Sequence, residues 1–187
     1  MAKISKNSVA LAGEFATLSQ LTLRGFNAAM TLGHTKEIDI LVHNPDSGAP
    51  FQVEVKTNLE KRRGPSNSKL FGKFVTDWQM DVKHETINRP DLFFCFVHIN
   101  NNPSESLEYD FRYFIVPSNV VAKYVQDQHF CWLKADPIHK DSPRRLFRIG
   151  LENDRPIEVP APLASDWENN WKFRREPLSK DKERKSP

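Results

Sequence analysis

Four residues are singled out by their types and their spacing. Asp39, Glu54 and Lys56 interrupt two runs that are otherwise apolar, and Glu14 is the lone acid of an apolar-striped run upstream. In "FQVEVK", alternation puts Phe51, Val53 and Val55 on one face of a strand and Gln52, Glu54 and Lys56 on the other. Asp39 breaks the series Ile38, Ile40, Val42 in the same way. The turn-forming "NPDSG" between the runs predicts a hairpin, which brings Asp39, Glu54 and Lys56 to one edge of a sheet. Two carboxylates beside an ammonium group are a place to hold a divalent metal and a phosphate, because hard cations take oxygen donors and the lysine complements the anion.

The elements that must position these groups follow from periodicity. Ser8 is read as the cap of a helix running to about Arg24, with Val9, Leu11, Phe15, Leu18 and Leu21 as its apolar stripe and Gly25 as its stop. Phe26 to Leu32 predicts a strand, then come the two charged strands, and "RRGPSNS" marks a loop. The stretch "FVTDWQMDVKHETI" is expected to end in a short helix. "DLFFCFVHI" is apolar throughout and predicts a central strand covered on both faces. Tyr109 to Val116 predicts another strand, ended by Pro117, after which Ser118 is read as the cap of a helix. Trp167 and Trp171, four apart in "WENNW", are expected to share a helix face and anchor the C-terminal segment. Helix, three strands, a crossover and further strands describe an α/β or α+β sheet protein.

Composition narrows the class. At 187 residues the chain fits one domain, read as 1–171, followed by a charged, aromatic-poor tail over 172–187 that is expected to be disordered. The tail carries seven basic and three acidic residues, so it accounts for +4 and leaves −1 for the remainder of a net +3. Overall charge therefore says little about nucleic acid, whereas the local run "KTNLEKRRGPSNSKLFGK", with six basic residues and one acid, starts at the candidate site. No stretch approaches the roughly 18 apolar residues of a membrane helix, and the N-terminus reads poorly as a signal peptide, so a cytoplasmic protein with no membrane partner is expected. Cys95 and Cys131 sit among large apolar residues without metal-ligand spacing and read as buried thiols. The six histidines lack the i, i+4 spacing of a helical zinc site. There is no glycine-rich phosphate loop and no Gly-x-Ser-x-Gly elbow, which removes the main nucleotide-binding and hydrolase classes.

The Glu-x-Lys tripeptide alone means little. Twelve glutamates and fifteen lysines give about one match by chance, and the tail holds such a match, Glu183 to Lys185, with no strand around it. Context separates the two, since Glu54 to Lys56 lies in an alternating strand, fifteen residues after Asp39 and downstream of the helix bearing Glu14. That ordered set, over "SVALAGEFATLSQLTLRGFNAAMTLGHTKEIDILV" and "FQVEVKT", resembles the PD-(D/E)XK nuclease superfamily and is most similar to its Holliday-junction-resolvase-like branch. Later pieces, "LFFCFVHI", "FRYFIVPSNVVAKYV", "HKDSPRRLFRI" and "WENNW", look like those of an uncharacterised bacterial group within it. The sequence departs from the superfamily's pattern at Ile38, where proline would precede the aspartate.

The resemblance implies a restriction-endonuclease-like αβββαβ core, a central mixed sheet flanked by helices. It implies a Mg²⁺ or Mn²⁺ dependent DNA endonuclease with Glu14, Asp39, Glu54 and Lys56 as catalytic residues. The metal would be held by Glu14, Asp39, Glu54 and the Val55 carbonyl. Gln52, Lys61, Arg62, Arg63 and Lys69 are the expected nucleic-acid contacts, and a homodimer is expected by analogy. The alternative is a catalytically silent nuclease-like fold that binds nucleic acid or a protein partner. For the individual side chains the bland alternative is a cross-strand ion pair on a solvated sheet face.

Overall fold

The computed structural model describes residues 4–31, 38–45, 48–61, 64–101 and 108–178. The elements are α1 (Lys6–Thr22), β1 (Asn27–Met30), β2 (Ile40–His43), β3 (Pro50–Lys61), β4 (Ser66–Ser68), β5 (Gly72–Asp81), β6 (Leu92–Asn101), β7 (Tyr109–Pro117), α2 (Ser118–Ala135), β8 (Arg144–Gly150) and α3 (Ala164–Trp167). They make an α+β chain with a five-stranded mixed sheet, ordered β1-β2-β3-β6-β7, and a three-stranded sheet, ordered β4-β5-β8. The chain divides into two compact units, Met1–Arg63 with Asp91–Ile115 and Gly64–Pro90 with Val116–Pro187. None of the described helices is long and apolar enough to cross a membrane.

In the first unit, β1, β2 and β3 form an antiparallel meander, with Met30 opposite Ile40 and Ile40 opposite Val53. The predicted hairpin is closed by Asn44, whose carbonyl accepts the Gly48 N–H at 2.8 Å, with Gly48 at a φ of 67° that a side chain would strain. β3 then pairs in parallel with β6 from Gln52↔Leu92 to Lys61↔Asn101. As its unbroken apolar run predicts, β6 is buried from Leu92 to Ile99 and lies between β3 and β7. The crossover between these parallel strands carries β4, β5 and a single 3-10 turn where the resemblance implies an α-helix.

α1 differs from expectation in two ways. Its cap is Ser5, whose hydroxyl accepts the Ser8 N–H at 3.0 Å, so Ser8 is the third helical residue and not the cap. Of the apolar stripe it buries only Leu21: Leu11 and Phe15 are exposed, and the other buried residues are Gly13 and Thr17. That i, i+4, i+8 line is small at two of its three positions, which allows the helix axis to come close to the sheet. Thr17 Oγ1 lies 3.5 Å from the Cys95 sulfur on β6, and burial pushes that thiol up to about 12, so it behaves as an inert core group. Gly25, at a φ of 82°, ends the helix as predicted.

In the second unit the stretch from Phe74 is a strand that ends, as expected, in a short helical turn. β5 buries Phe74, Thr76, Trp78 and Met80, a period of two, and only Val82–Glu85 turn as a 3-10 helix capped by Asp81. β5 pairs antiparallel with β8, Asp77 facing Arg148. Ser118 does not cap α2; its hydroxyl donates to the Arg89 carbonyl at 2.7 Å and accepts the Arg89 N–H at 2.9 Å. Trp167 and Trp171 are both buried, yet α3 ends at Trp167, so they do not share a helix face.

Candidate active site

Asp39 is the residue just before β2, at a place where that strand is pulled out of register. Its N–H donates to the Val53 carbonyl at 3.1 Å while Ile40 is the register partner of the same Val53, so two residues address one, as at a β-bulge. The Thr31 N–H holds the Asp39 carbonyl from the other side at 2.9 Å. On β3 the Gln52 N–H donates to the Asp91 carbonyl at 2.7 Å, toward β6, which leaves the odd-numbered residues addressing β2. β2 accompanies β3 only to Val53. The backbone groups of Val55 therefore face an edge that β2 has left, and the Asp39 side chain fills in: its Oδ2 accepts the Val55 N–H at 2.6 Å. The Val55 carbonyl lies on that same edge.

Glu54 and Lys56 point to the other face from Val55, as their alternation requires. Glu54 is 3% exposed, and its Oε1 lies 2.5 Å from the Lys56 ammonium. Glu14 comes from α1. Its neighbour Gly13 is pressed so close to β3 that a Cβ there would lie 1.9 Å from Thr57 Oγ1, which is why the helix can deliver a carboxylate to this edge. Burial, and after it the negative charge of Asp39, hold the Glu14 carboxyl above its ordinary range. Asp39 is raised too, chiefly by burial, with the Val55 N–H opposing, Glu54 adding to the rise and Lys56 working against it. The structure thus brings Glu14, Asp39, Glu54 and Lys56 into one electrostatic group.

As these side chains stand, no three His, Cys, Asp or Glu groups among the described residues are arranged to hold a metal ion. The donor set nevertheless fits a hard divalent cation in kind. It gathers carboxylates of which, after burial, Asp39 raises Glu14 and Glu54 raises Asp39, a repulsion that a cation relieves, on the strand edge that also carries the Val55 carbonyl.

The raised carboxyls have a consequence for the metal-free protein. Between the unfolded value and the higher folded value, the folded chain holds more protons than the unfolded one, so stability rises as pH falls through that window. Glu14→Gln removes one of the repelling charges. It is expected to leave the protein as stable as the parent or more so near neutral pH, with the difference shrinking as pH falls through the carboxyl range. Urea unfolding of both proteins across pH, with chelator present, reads this directly; a variant less stable than its parent near neutral pH contradicts it.

The remaining predicted residues are spread more widely. Gln52 lies two positions before Glu54 and lines a hollow of about 640 Å³ with Phe26, Ala28, His43, Phe51 and Asp91. Lys61 ends β3, its side chain outside the described residues, as are Arg62 and Arg63 altogether. Lys69 is exposed and belongs to the second unit. Sequence reasoning passed over Gly13 and Thr57, whose contact sets the depth of α1, and Asn58 and His98, which extend the site's face beyond Lys56. His98 is buried with Nδ1 2.7 Å from Asn58 Oδ1, and burial lowers its pKa against the pull of Glu60. A polar residue at the even position after "EVK", and a histidine inside an apolar run, were the available signals.

No protein-family model matches the chain, and no curated protein sequence matches it. Among solved structures it is similar to a bacterial homing endonuclease, I-Ssp6803I, at 12% identity and a TM-score of 0.44, over 98% of this chain and 100% of that one.

Proposed function

We propose that this chain is a metal-dependent DNA endonuclease that hydrolyses phosphodiester bonds. The observation that carries the reading is the strand edge where β2 leaves β3: Asp39 accepts the Val55 N–H there, near the buried Glu54 and its partner Lys56 and within electrostatic reach of Glu14. A solvated cross-strand ion pair has no need of a 3% exposed glutamate or of a helix pressed close enough to add a further acid. Mg²⁺ or Mn²⁺ held by Glu14, Asp39, Glu54 and the Val55 carbonyl would supply Lewis-acid polarisation of the phosphate and a water of lowered pKa. Lys56 brings an ammonium with three N–H donors to the same place. In this reading it orients the attacking water and stabilises the negative charge that develops on the phosphate. Asp39 has a second task, since its hydrogen bond to the Val55 N–H fixes the edge on which the Val55 carbonyl is presented. Gln52, on the strand face of Glu54 and Lys56, is assigned a phosphate or a water, and Lys61, Arg62, Arg63 and Lys69 are assigned the DNA backbone.

One observation favours the silent alternative, a nuclease-like fold that binds nucleic acid or protein without cutting: Glu54 Oε1 is engaged by Lys56. Calorimetric titration with Mn²⁺ separates the two. The proposal expects binding by the parent protein, weakened about 10- to 100-fold in Asp39→Asn and more in Glu54→Gln. No heat at millimolar Mn²⁺, or equal binding by all three proteins, favours the silent fold.

A further inference from the structure

The second unit holds a hollow of about 350 Å³ between α2 and β8, lined by Gln128, His129, Trp132, Ser142, Arg144 and Arg148, with Arg145 in the same wall. Its three arginines are not equivalent. Arg145 is 5% exposed and engaged through two of its nitrogens: Nε pairs with Glu85, Nη1 lies 3.3 Å from Asp141 Oδ1, and the same nitrogen donates to the Ser142 and Arg144 carbonyls. Asp141 is further drawn to His129, whose Nε2 is 2.8 Å away. The two acids of this network are thus taken up by Arg145 and His129.

Arg148 is different. At 7% exposure, its Nη1 donates to Gln128 Oε1 at 2.8 Å, and its guanidinium carbon lies 4.2 Å from the Phe71 ring centroid and 5.5 Å from that of Phe74. The Tyr124 hydroxyl is beside it, and Asp77 is its cross-strand neighbour on β5. Asp77 is a charge of opposite sign, but the amide oxygen, the phenol and the two rings carry none, and Arg148 Nε is buried with no hydrogen-bond partner among the described residues, so the guanidinium keeps an unused donor at the wall of the hollow. Arg144 adds an exposed guanidinium at the same wall, and Ser142 an exposed hydroxyl.

We infer that this hollow binds a phosphate group, and that the phosphate is one borne by a nucleic-acid strand. The guanidinium groups of Arg144 and Arg148 with the Ser142 hydroxyl suit the tetrahedral oxygens of phosphate better than a flat carboxylate. Arg144 and Ser142 are exposed, so a phosphate still attached to a chain can enter without the chain being enclosed. The phosphate site does not depend on the proposed hydrolysis and is tested with chelator present, whereas its nucleic-acid source rests on the proposed function.

The test uses the full chain, with a short DNA duplex and with inorganic phosphate as separate probes. Arg144→Gln is expected to weaken duplex binding about three- to tenfold and to lower the salt slope by about one, and inorganic phosphate is expected to compete with the duplex. Arg148→Lys keeps the buried charge and loses the fork, so it should weaken binding in a protein whose circular dichroism is unchanged. Lys134→Gln, the same change of net charge outside the hollow, should weaken binding less than Arg144→Gln. If inorganic phosphate alone depends on Arg144, the nucleic-acid source is overturned and the free ion is the ligand. If neither probe depends on Arg144 or Arg148, or if Lys134→Gln matches Arg144→Gln, the site itself is overturned.

Discussion

Glu54→Gln and Lys56→Met each lower DNA cleavage by about 10³-fold or more, and the double variant loses little beyond either single one, because residues that act on one reacting phosphate fail as a unit. Stability should behave in the opposite manner. Lys56→Met leaves the 3% exposed Glu54 carboxylate without the ammonium that now lies 2.5 Å from Oε1, and breaking a buried pair on one side costs about 3–5 kcal/mol. The side chain of Lys56 is 27% exposed, which screens the pair and puts the expected loss at the low end of that range. Removing both charges together should recover most of that loss, since replacing a buried ion pair by neutral groups of similar size is close to neutral. The combination discriminates: a double variant that regains parental stability and stays inactive assigns the pair to chemistry, whereas one that regains activity along with stability assigns it to the fold.

Gly13→Ala is expected to destabilise the protein by about 1–3 kcal/mol and to reduce cleavage, although the same change inside an ordinary helix stabilises by about 1 kcal/mol. The sign turns on one contact. An alanine Cβ would lie 1.9 Å from Thr57 Oγ1 and 2.9 Å from Thr57 Cβ, so α1 must move away from β3 and take Glu14, the next residue, with it. Thr57→Ala removes the nearest atom and leaves the contact with Cβ, so Gly13→Ala with Thr57→Ala should recover part of the lost stability. By itself Thr57→Ala should cost little, because it deletes a buried hydroxyl without a hydrogen-bond partner among the described residues. Urea unfolding of the four proteins yields the coupling between the positions. A Gly13→Ala protein more stable than its parent would show that the helix does not depend on this close approach.

What could be read from the sequence follows the range of the interactions concerned. The β2–β3 hairpin and the faces of β3 are local, fixed by a turn and a period of two, and they were legible. So was β6, whose unbroken apolar run admits only a strand covered on both faces. α1 was legible as a helix but not in its orientation. Its large apolar residues suggested one face, while Gly13 and Thr17 bury the other because small residues alone permit the contact with Thr57 and Cys95. Ser8 and Ser118 look like caps in sequence, but Ser5 lies where its hydroxyl can accept the Ser8 N–H, and Ser118 is drawn to the backbone of Arg89, a partner 29 residues away. At the site, the pairing of Glu54 with Lys56 follows from alternation. The hydrogen bond from Val55 to Asp39 depends on where β2 leaves β3, which no local pattern encodes.

The most direct test of the central claim is cleavage of labelled single-stranded, duplex, flap and four-way DNA by the parent protein and by the Glu54→Gln, Lys56→Met double variant. Both are assayed in Mg²⁺, in Mn²⁺ and in chelator. The account predicts that the parent cuts at least one of these substrates in metal and none in chelator, and that the folded double variant cuts none. Undiminished metal-dependent cutting by the double variant contradicts it, as does a parent protein that binds Mn²⁺ and leaves every substrate intact.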